Sequence, residues 1–343
     1  MNITTEEQQI ATVQEGQKNA PNALIGRLIP SAILAASAHN TQPWKFKVGD
    51  DCVDIFVDWN RHLSVSDPSL RELYISIGCA TANMLVAARY WDYQPALSYF
   101  PDGEAKDKPA ARITLTPAGN ASGSDIAALF AAAGNRHTDR TIYDGKQLIR
   151  QEKEAMPTAS SHSVSLVEDK NAIQEIAALT EQSTLRTLSR KDFKEELSHW
   201  VRNNWTYQHD GMPGYAMGIP APLSLLSPVM VRLAPIHKQE GPKTREQMNS
   251  SSAVAVMVSA TDTPTDWIKA GQNLEQVWLE ATAAGLAAAP LVAAIEAGHD
   301  TRQELQRILN TKLYPQSILR IGHAVHQKPL RATPRRTVAE CLV

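Results

Sequence analysis

Cysteine is scarce in this chain: Cys52, Cys79 and Cys341 are the only three in 343 residues. An odd, scattered set excludes a disulfide framework and fits a reducing compartment. An excess of one charge is missing too, with 34 Lys and Arg against 36 Asp and Glu. Without a global field, neither nucleic acid nor an anionic membrane is an expected partner. Basic residues gather only near the C-terminus, at Lys328, Arg331, Arg335 and Arg336. Long hydrophobic runs are also lacking. The longest, Ala281 to Ile295, contains Pro290 and is bounded by Glu280 and Glu296, short of the roughly 18 to 20 residues that span a bilayer. The start of the chain carries Glu6, Glu7 and Glu15 without an apolar stretch, which reads against a secretory signal. Three nucleotide and hydrolase signatures are absent: G-x-G-x-x-G, the Walker A loop and G-x-S-x-G. His323 and His326 lie three apart, but no cysteine or acid stands at metal-ligand spacing from them, so no metal site is expected. A soluble cytoplasmic protein is the expectation.

What is present is an ordinary globular composition, 43% hydrophobic and 20% charged. Its length exceeds the usual limit of one hydrophobic core, so two units are expected. Residues 1–20 are polar and read as an arm. Ser37-Ala38-His39-Asn40-Thr41-Gln42 is a loop of short polar residues, and Pro43 predicts extended geometry for Gln42. Trp44–Val48 alternates apolar and polar, Gly49-Asp50-Asp51 is a turn, and Cys52–Val57 mostly alternates, together a β-hairpin. From 70 to 90 the apolar spacing turns helical through Leu73, Ile77, Ala80, Met84 and Ala87. Strands are predicted at 96–100 and 111–116, and residues 117–123 read as a linker.

The second half opens with a short helix over 125–133 and the basic segment Arg136-His137-Thr138-Asp139-Arg140. A strand at 163–167 and a helix at 171–187 follow. Residues 199–241 are rich in Pro, Gly and aromatics, and read as a long lid-like insertion. Ala253–Ala260 suits a buried central strand, 267–284 a long helix, and 317–321 a last strand. Gly78 to Ala88 and Gly271 to Ala281 look like diverged copies, each starting on Gly, with an amide at the sixth place (Asn83, Gln276). Strands flank both helices. Duplication would let one chain imitate a symmetric dimer. The expected division is an arm at 1–20, a first half at 21–123, and a second half at 124–343 holding the insertion.

Four segments together resemble the nitroreductase superfamily. They are the Ser37-to-Trp44 loop, the Arg136-to-Arg140 segment, Gly285 to Ala293, and Ile318 to Gly322 with Pro334 to Glu340 beyond it. The split arrangement is similar to the internally duplicated Acg-like branch. The resemblance implies an α+β fold of two diverged copies, each a mainly antiparallel sheet flanked by helices, forming a pseudo-dimer. It implies FMN as cofactor and NAD(P)H as electron donor. Hydride would pass through flavin N5 to a small organic acceptor. A flavin-sequestering protein with little turnover is the alternative, and a homologue that has lost flavin a third. The assembly would be a monomeric pseudo-dimer or a homodimer.

By the same resemblance, Ser37, Ala38, His39, Asn40 and Gln42 face the isoalloxazine ring. Arg136, His137, Thr138 and Arg140 grip the phosphate, a dianion that needs charged partners. An anion would also relieve the like-charge pair Arg136 and Arg140. Arg335 and Arg336 either complete the neutralisation or belong to a soluble tail. Pro290, Leu291, Val292 and Ala293 bring a backbone N–H of Val292 or Ala293 towards N5, so no side chain is named catalytic. Arg245 either faces N1 and O2 or is a surface residue after Pro242. The first half lacks an Arg-x-Ser/Thr-x-Arg segment, with Gly26-Arg27-Leu28-Ile29 in its place. In the second half Thr158 to Ser163 does not repeat the Gln-Pro-Trp loop. One complete site and one broken mirror site are therefore expected, with one flavin per chain.

Overall fold

The computed structural model describes residues 23–119, 123–325 and 331–343. The expected arm at 1–20, His326 and part of the 117–123 linker lie outside the described residues. In chain order the main elements are α1 (Ala23–Ala32), β1 (Trp44–Val48), β2 (Cys52–Val57), α2 (Arg71–Tyr90), β3 (Tyr93–Tyr99) and β4 (Ala111–Pro117). There follow α3 (Ser124–Asn135), β5 (Val164–Val167), α4 (Lys170–Ser189), α5 (Lys191–Trp200), α6 (His237–Asn249) and β6 (Ala253–Ser259). The chain closes with α7 (Pro264–Ala283), β7 (Ala287–Pro290), α8 (His299–Ile308), β8 (Tyr314–Gly322) and α9 (Val338–Cys341).

Two four-stranded antiparallel sheets result, ordered β1-β2-β4-β3 and β5-β6-β8-β7. The strand order is the same in both, and in each a long helix joins the second strand to the third. The hairpin forms because Gly49 closes its turn, its N–H donating to the Cys52 carbonyl at 2.8 Å. Trp44 and Phe46 on one strand, and Val53 and Ile55 on the other, then point to the same core.

The two long helices cross at the paired glycines. A Cβ on Gly78 would lie 2.0 Å from the Ile268 carbonyl oxygen, and one on Gly271 would lie 2.0 Å from that of Ile75. The contact is reciprocal: Gly78 and Ile75 match Gly271 and Ile268 at one constant spacing. The same spacing carries the ends of α2 onto the ends of α7. Such a self-complementary crossing is what a two-fold axis between copies produces. Around it lies one core drawn from both halves, including Trp44, Ile77 and Met84 with Met257, Trp278 and Leu319. The chain end reinforces this union, since Leu342 bridges Phe46 and the Val343 N–H donates to the Phe46 carbonyl at 3.0 Å. The tail of the second half is thereby carried to the first.

Residues 199–241 differ from the expected long loop. Val201–Arg202 pairs in parallel with Met212–Pro213, and Ala221–Ser224 and Ser227–Leu233 form short helices. Helix α6 already begins at His237. Pro222 and Pro228 each sit in a first helical turn, where an absent N–H costs nothing. The proline content that suggests a loop thus marks helix starts.

Candidate functional site

The polar loop before β1 is wound unusually tightly. His39, Asn40 and Gln42 have φ of 49°, 55° and 52°, a region that residues with a Cβ seldom occupy and that clusters at functional sites. Gln42 therefore departs from the extended geometry expected before Pro43, and its anchors explain why. Its N–H donates to Ser37 Oγ at 3.0 Å and its Nε2 to the His209 carbonyl at 2.8 Å. Its Oε1 accepts the Arg336 N–H at 2.8 Å. The Ala38 N–H reaches Ser76 Oγ on α2 at 3.3 Å. Asn40 donates to the carbonyls of Gly211 and Pro334 at 2.9 and 3.0 Å, and its own carbonyl accepts the Gly211 N–H at 3.1 Å.

Two arginines meet beside this loop, and a third stands near His39. Arg136, the residue after α3, lies with Nε 2.8 Å from Glu275 Oε1. Its Nη2 donates to the Leu34 carbonyl at 2.7 Å, and its guanidinium stacks 4.4 Å from the Trp278 ring centroid. Arg335 reaches the same Leu34 carbonyl at 3.2 Å and donates to Asn40 Oδ1 at 2.6 Å and Thr333 Oγ1 at 2.8 Å. Its Nε is buried with no hydrogen-bond partner. Arg140 donates to the Ala216 carbonyl at 2.9 Å, while its guanidinium stays open to solvent with protein on most sides, as on a cleft wall.

The electrostatics of this group are uneven. Burial pushes Arg335 down to about 9, and the charge of Arg136 adds to the fall. Burial also lowers Arg140. Glu275 is raised by burial and pulled down by Arg136. Burial holds His39 down to about 4, with Glu196 opposing and Arg140 assisting. His39 Nε2 is buried without a partner, and Phe193 packs edge-on at 6.4 Å. Glu275 thus faces two guanidiniums, those of Arg136 and Arg335, while Arg335 Nε and His39 Nε2 are left open. Such a surplus of desolvated positive charge suits an anionic group with several acceptor oxygens.

The other expected residues divide. Arg336 is a strap: its guanidinium donates to the carbonyls of Gln42, Trp44 and Glu340 and lies 3.3 Å from Asp58. His137 turns outward, its Nδ1 2.9 Å from the Asn135 carbonyl, and Thr138 is half-buried between the two arginines of its segment. That segment is fixed to the second sheet by the Asp139 N–H, which donates to the Ala288 carbonyl of β7 at 3.1 Å. Pro290 ends the same strand. The Leu291 N–H is held by the Ile318 carbonyl at 3.2 Å, and Val292 and Ala293 enter a short turn whose first bond runs from Ile295 to Val292. Arg245 stands apart on α6, paired with Glu181 at 3.0 Å on the surface.

Several participants escape the sequence reading. Glu72 and Glu275 are buried carboxylates on α2 and α7, and α7 carries other polar residues, including Glu280, so the spacing alone did not single Glu275 out. Glu72 forms a buried cluster with Arg71 and Glu296. Burial raises Glu296 to about 7 and Glu72 well above its ordinary value. Gly211, Tyr215 and Ala216, from the insertion, close over the arginine group. A cavity of about 530 Å³, bordered by Arg61, His62, Glu196, Trp200 and Asp210, lies behind the loop, where Arg61 donates to the Thr41 carbonyl at 2.9 Å.

The doubled sheets and the reciprocal glycine crossing define a nitroreductase-like fold, two similar halves packed as a pseudo-dimer. A solved structure from Anabaena variabilis, described as a "putative nitroreductase", matches with a TM-score of 0.50 and 12% identity over 91% of both chains. More particularly, the chain is similar to "Putative NAD(P)H nitroreductase Rv3131" of Mycobacterium tuberculosis, 28% identical over 90% of this chain and 88% of that one. It is also similar to "Putative NAD(P)H nitroreductase acg" of the same organism, 25% identical over 92% of this chain and 94% of the other. The resemblance to the Acg-like branch thus runs almost end to end. No family model matches the chain.

Proposed function

We propose that this protein is an FMN-dependent NAD(P)H oxidoreductase of the nitroreductase type, its two halves descended from an internal duplication and holding one flavin between them. The observation that carries this reading is the arginine group, where Arg136 and Arg335 share the single carboxylate Glu275, Arg140 stands near His39, and Arg335 Nε and His39 Nε2 are left unpartnered. A phosphate would take those donors and balance the surplus charge. Similarity to relatives named as NAD(P)H nitroreductases supports the same conclusion.

Within it, Arg335 and Arg140 would hold the phosphate, while Arg136 shares its charge with Glu275 and Asn40 fixes Arg335. The strained loop 37–42 would line the ring, and the turn at Val292–Ala293 would offer backbone N–H groups. When bound, FMN supplies hydride transfer between NAD(P)H and a small organic acceptor, so the protein's work is binding, orientation and exclusion of water. The mirror position carries different chemistry. Thr158 donates its N–H and hydroxyl to Glu280 at 3.1 and 2.7 Å, and Arg27 stacks 5.1 Å from the Trp91 ring. A carboxylate without convergent arginines repels a phosphate, which supports one flavin per chain.

A second reading, flavin storage with little turnover, is favoured by the roof at residues 211–216, which is bonded to Asn40 and Arg140. Anaerobic mixing with NADPH separates the two. Bleaching of the flavin bands within seconds supports the oxidoreductase, and persistent oxidised flavin supports storage.

A further inference from the structure

We propose that residues 220–233 form a face that docks on an anionic lipid surface, a role independent of the flavin reading. After roofing the arginine group the chain makes two short helices, Ala221–Ser224 and Ser227–Leu233. Leu223, Leu225, Leu226, Val229, Met230 and Leu233 are each 42% to 73% exposed. Soluble proteins scatter exposed apolar residues singly, and a run this dense marks an interaction face. Ser224, Ser227 and Val231 are buried beneath it, so the turns are fixed and the apolar side chains point outward by design of the packing.

Charge selects the occupant. Residues 211–239 contain no Asp or Glu, although the chain has 36. Cations border the face: Lys238 is exposed, and Lys194 Nζ donates to the Ala234 carbonyl at 3.2 Å. Asp192 and Glu195, the nearby acids on α5, are already paired with Arg190 and Arg232 at 2.7 and 3.0 Å. An apolar face with a cationic rim complements acyl chains beneath anionic headgroups. A second copy fits less well, because two such faces meeting about a two-fold axis would set Lys238 against its equivalent, with no carboxylate within residues 211–239 to separate them. Among the described residues no helix is long and apolar enough to cross a membrane, so the contact is with one leaflet.

The test is sedimentation of the full-length protein with phosphatidylcholine vesicles, with and without phosphatidylglycerol. The protein pellets with the anionic vesicles and less with neutral ones, and raised salt weakens the binding. The double variant Leu226→Glu with Leu233→Glu lowers the bound fraction at least about tenfold while its near-ultraviolet circular dichroism is unchanged. Lys238→Glu, which touches no core residue, lowers it in part. Wild-type protein that stays in the supernatant with both vesicle types overturns the proposal, as does binding indifferent to these changes. A lipid-free dimer that the double variant breaks would also overturn it, by giving the face to a second copy.

Discussion

Arg335 and Arg336 are adjacent in sequence and use their guanidinium groups for opposite ends. Arg335 keeps Nε unpartnered beside a second arginine, whereas every acceptor around Arg336 belongs to the protein. Arg335→Ala should weaken FMN binding by roughly ten- to a hundredfold, the worth of a charged hydrogen bond at about 1.5–3 kcal/mol, with little change in melting temperature. Arg336→Ala should instead destabilise the fold by about 3 kcal/mol, because buried carbonyls and Asp58 lose their partner. Flavin fluorescence titration and denaturant melts on both variants check the pair, and equal effects on both quantities would undo the distinction. The basic tail itself was legible as two arginines after a strand. Their division of labour was not, since it depends on which carbonyls the returning chain meets. His39 gives a pH prediction. Its folded pKa lies near 4 against an ordinary 6.5, so between those values the unfolded state binds more protons. Its contribution is complete above about 6.5 and is lost as pH falls towards 4. His39→Asn, which tolerates the left-handed backbone, should flatten the stability profile across that window in urea melts. An unchanged slope would show that His39 titrates normally.

At the scale of elements, the long helices cross where only glycine fits. Gly271→Val would place carbons against the Ile75 carbonyl from 2.0 Å outwards, forcing apart two helices that carry the core of both halves. The expected cost exceeds about 4 kcal/mol, read as loss of the cooperative melt or failure to fold. Gly119→Ala, which meets no atom within 4 Å, should melt like the parent protein. A Gly271→Val variant with parental stability would mean that the crossing is loose. Most strands and both long helices were readable because period-2 and helical spacing survive in Trp44–Val57 and Leu73–Ala87. The matched glycines were visible as a repeat, but their crossing was not, because sequence does not say which faces meet. Residues 199–241 misled for a local reason: prolines that suggest a loop also start helices. Gln42 misled for a tertiary one, its backbone being set by Ser37, His209 and Arg336 rather than by Pro43.

At the scale of the whole molecule, the account rests on asymmetry within a two-fold frame. The halves share strand order and a reciprocal helix contact, yet Arg136 and Arg335 share Glu275 and the Leu34 carbonyl at one junction and Thr158 bonds Glu280 at the other. The sequence carried this imbalance as missing motifs in opposite halves. It did not reveal Glu275, the carboxylate paired with Arg136 inside the core. The most direct measurement is a titration of cofactor-free protein with FMN, followed by its visible spectrum and by bound flavin counted per chain. The account predicts saturation at one FMN per polypeptide and a binding curve with a single step. A protein that takes up no flavin, or that saturates at two per chain, would contradict it.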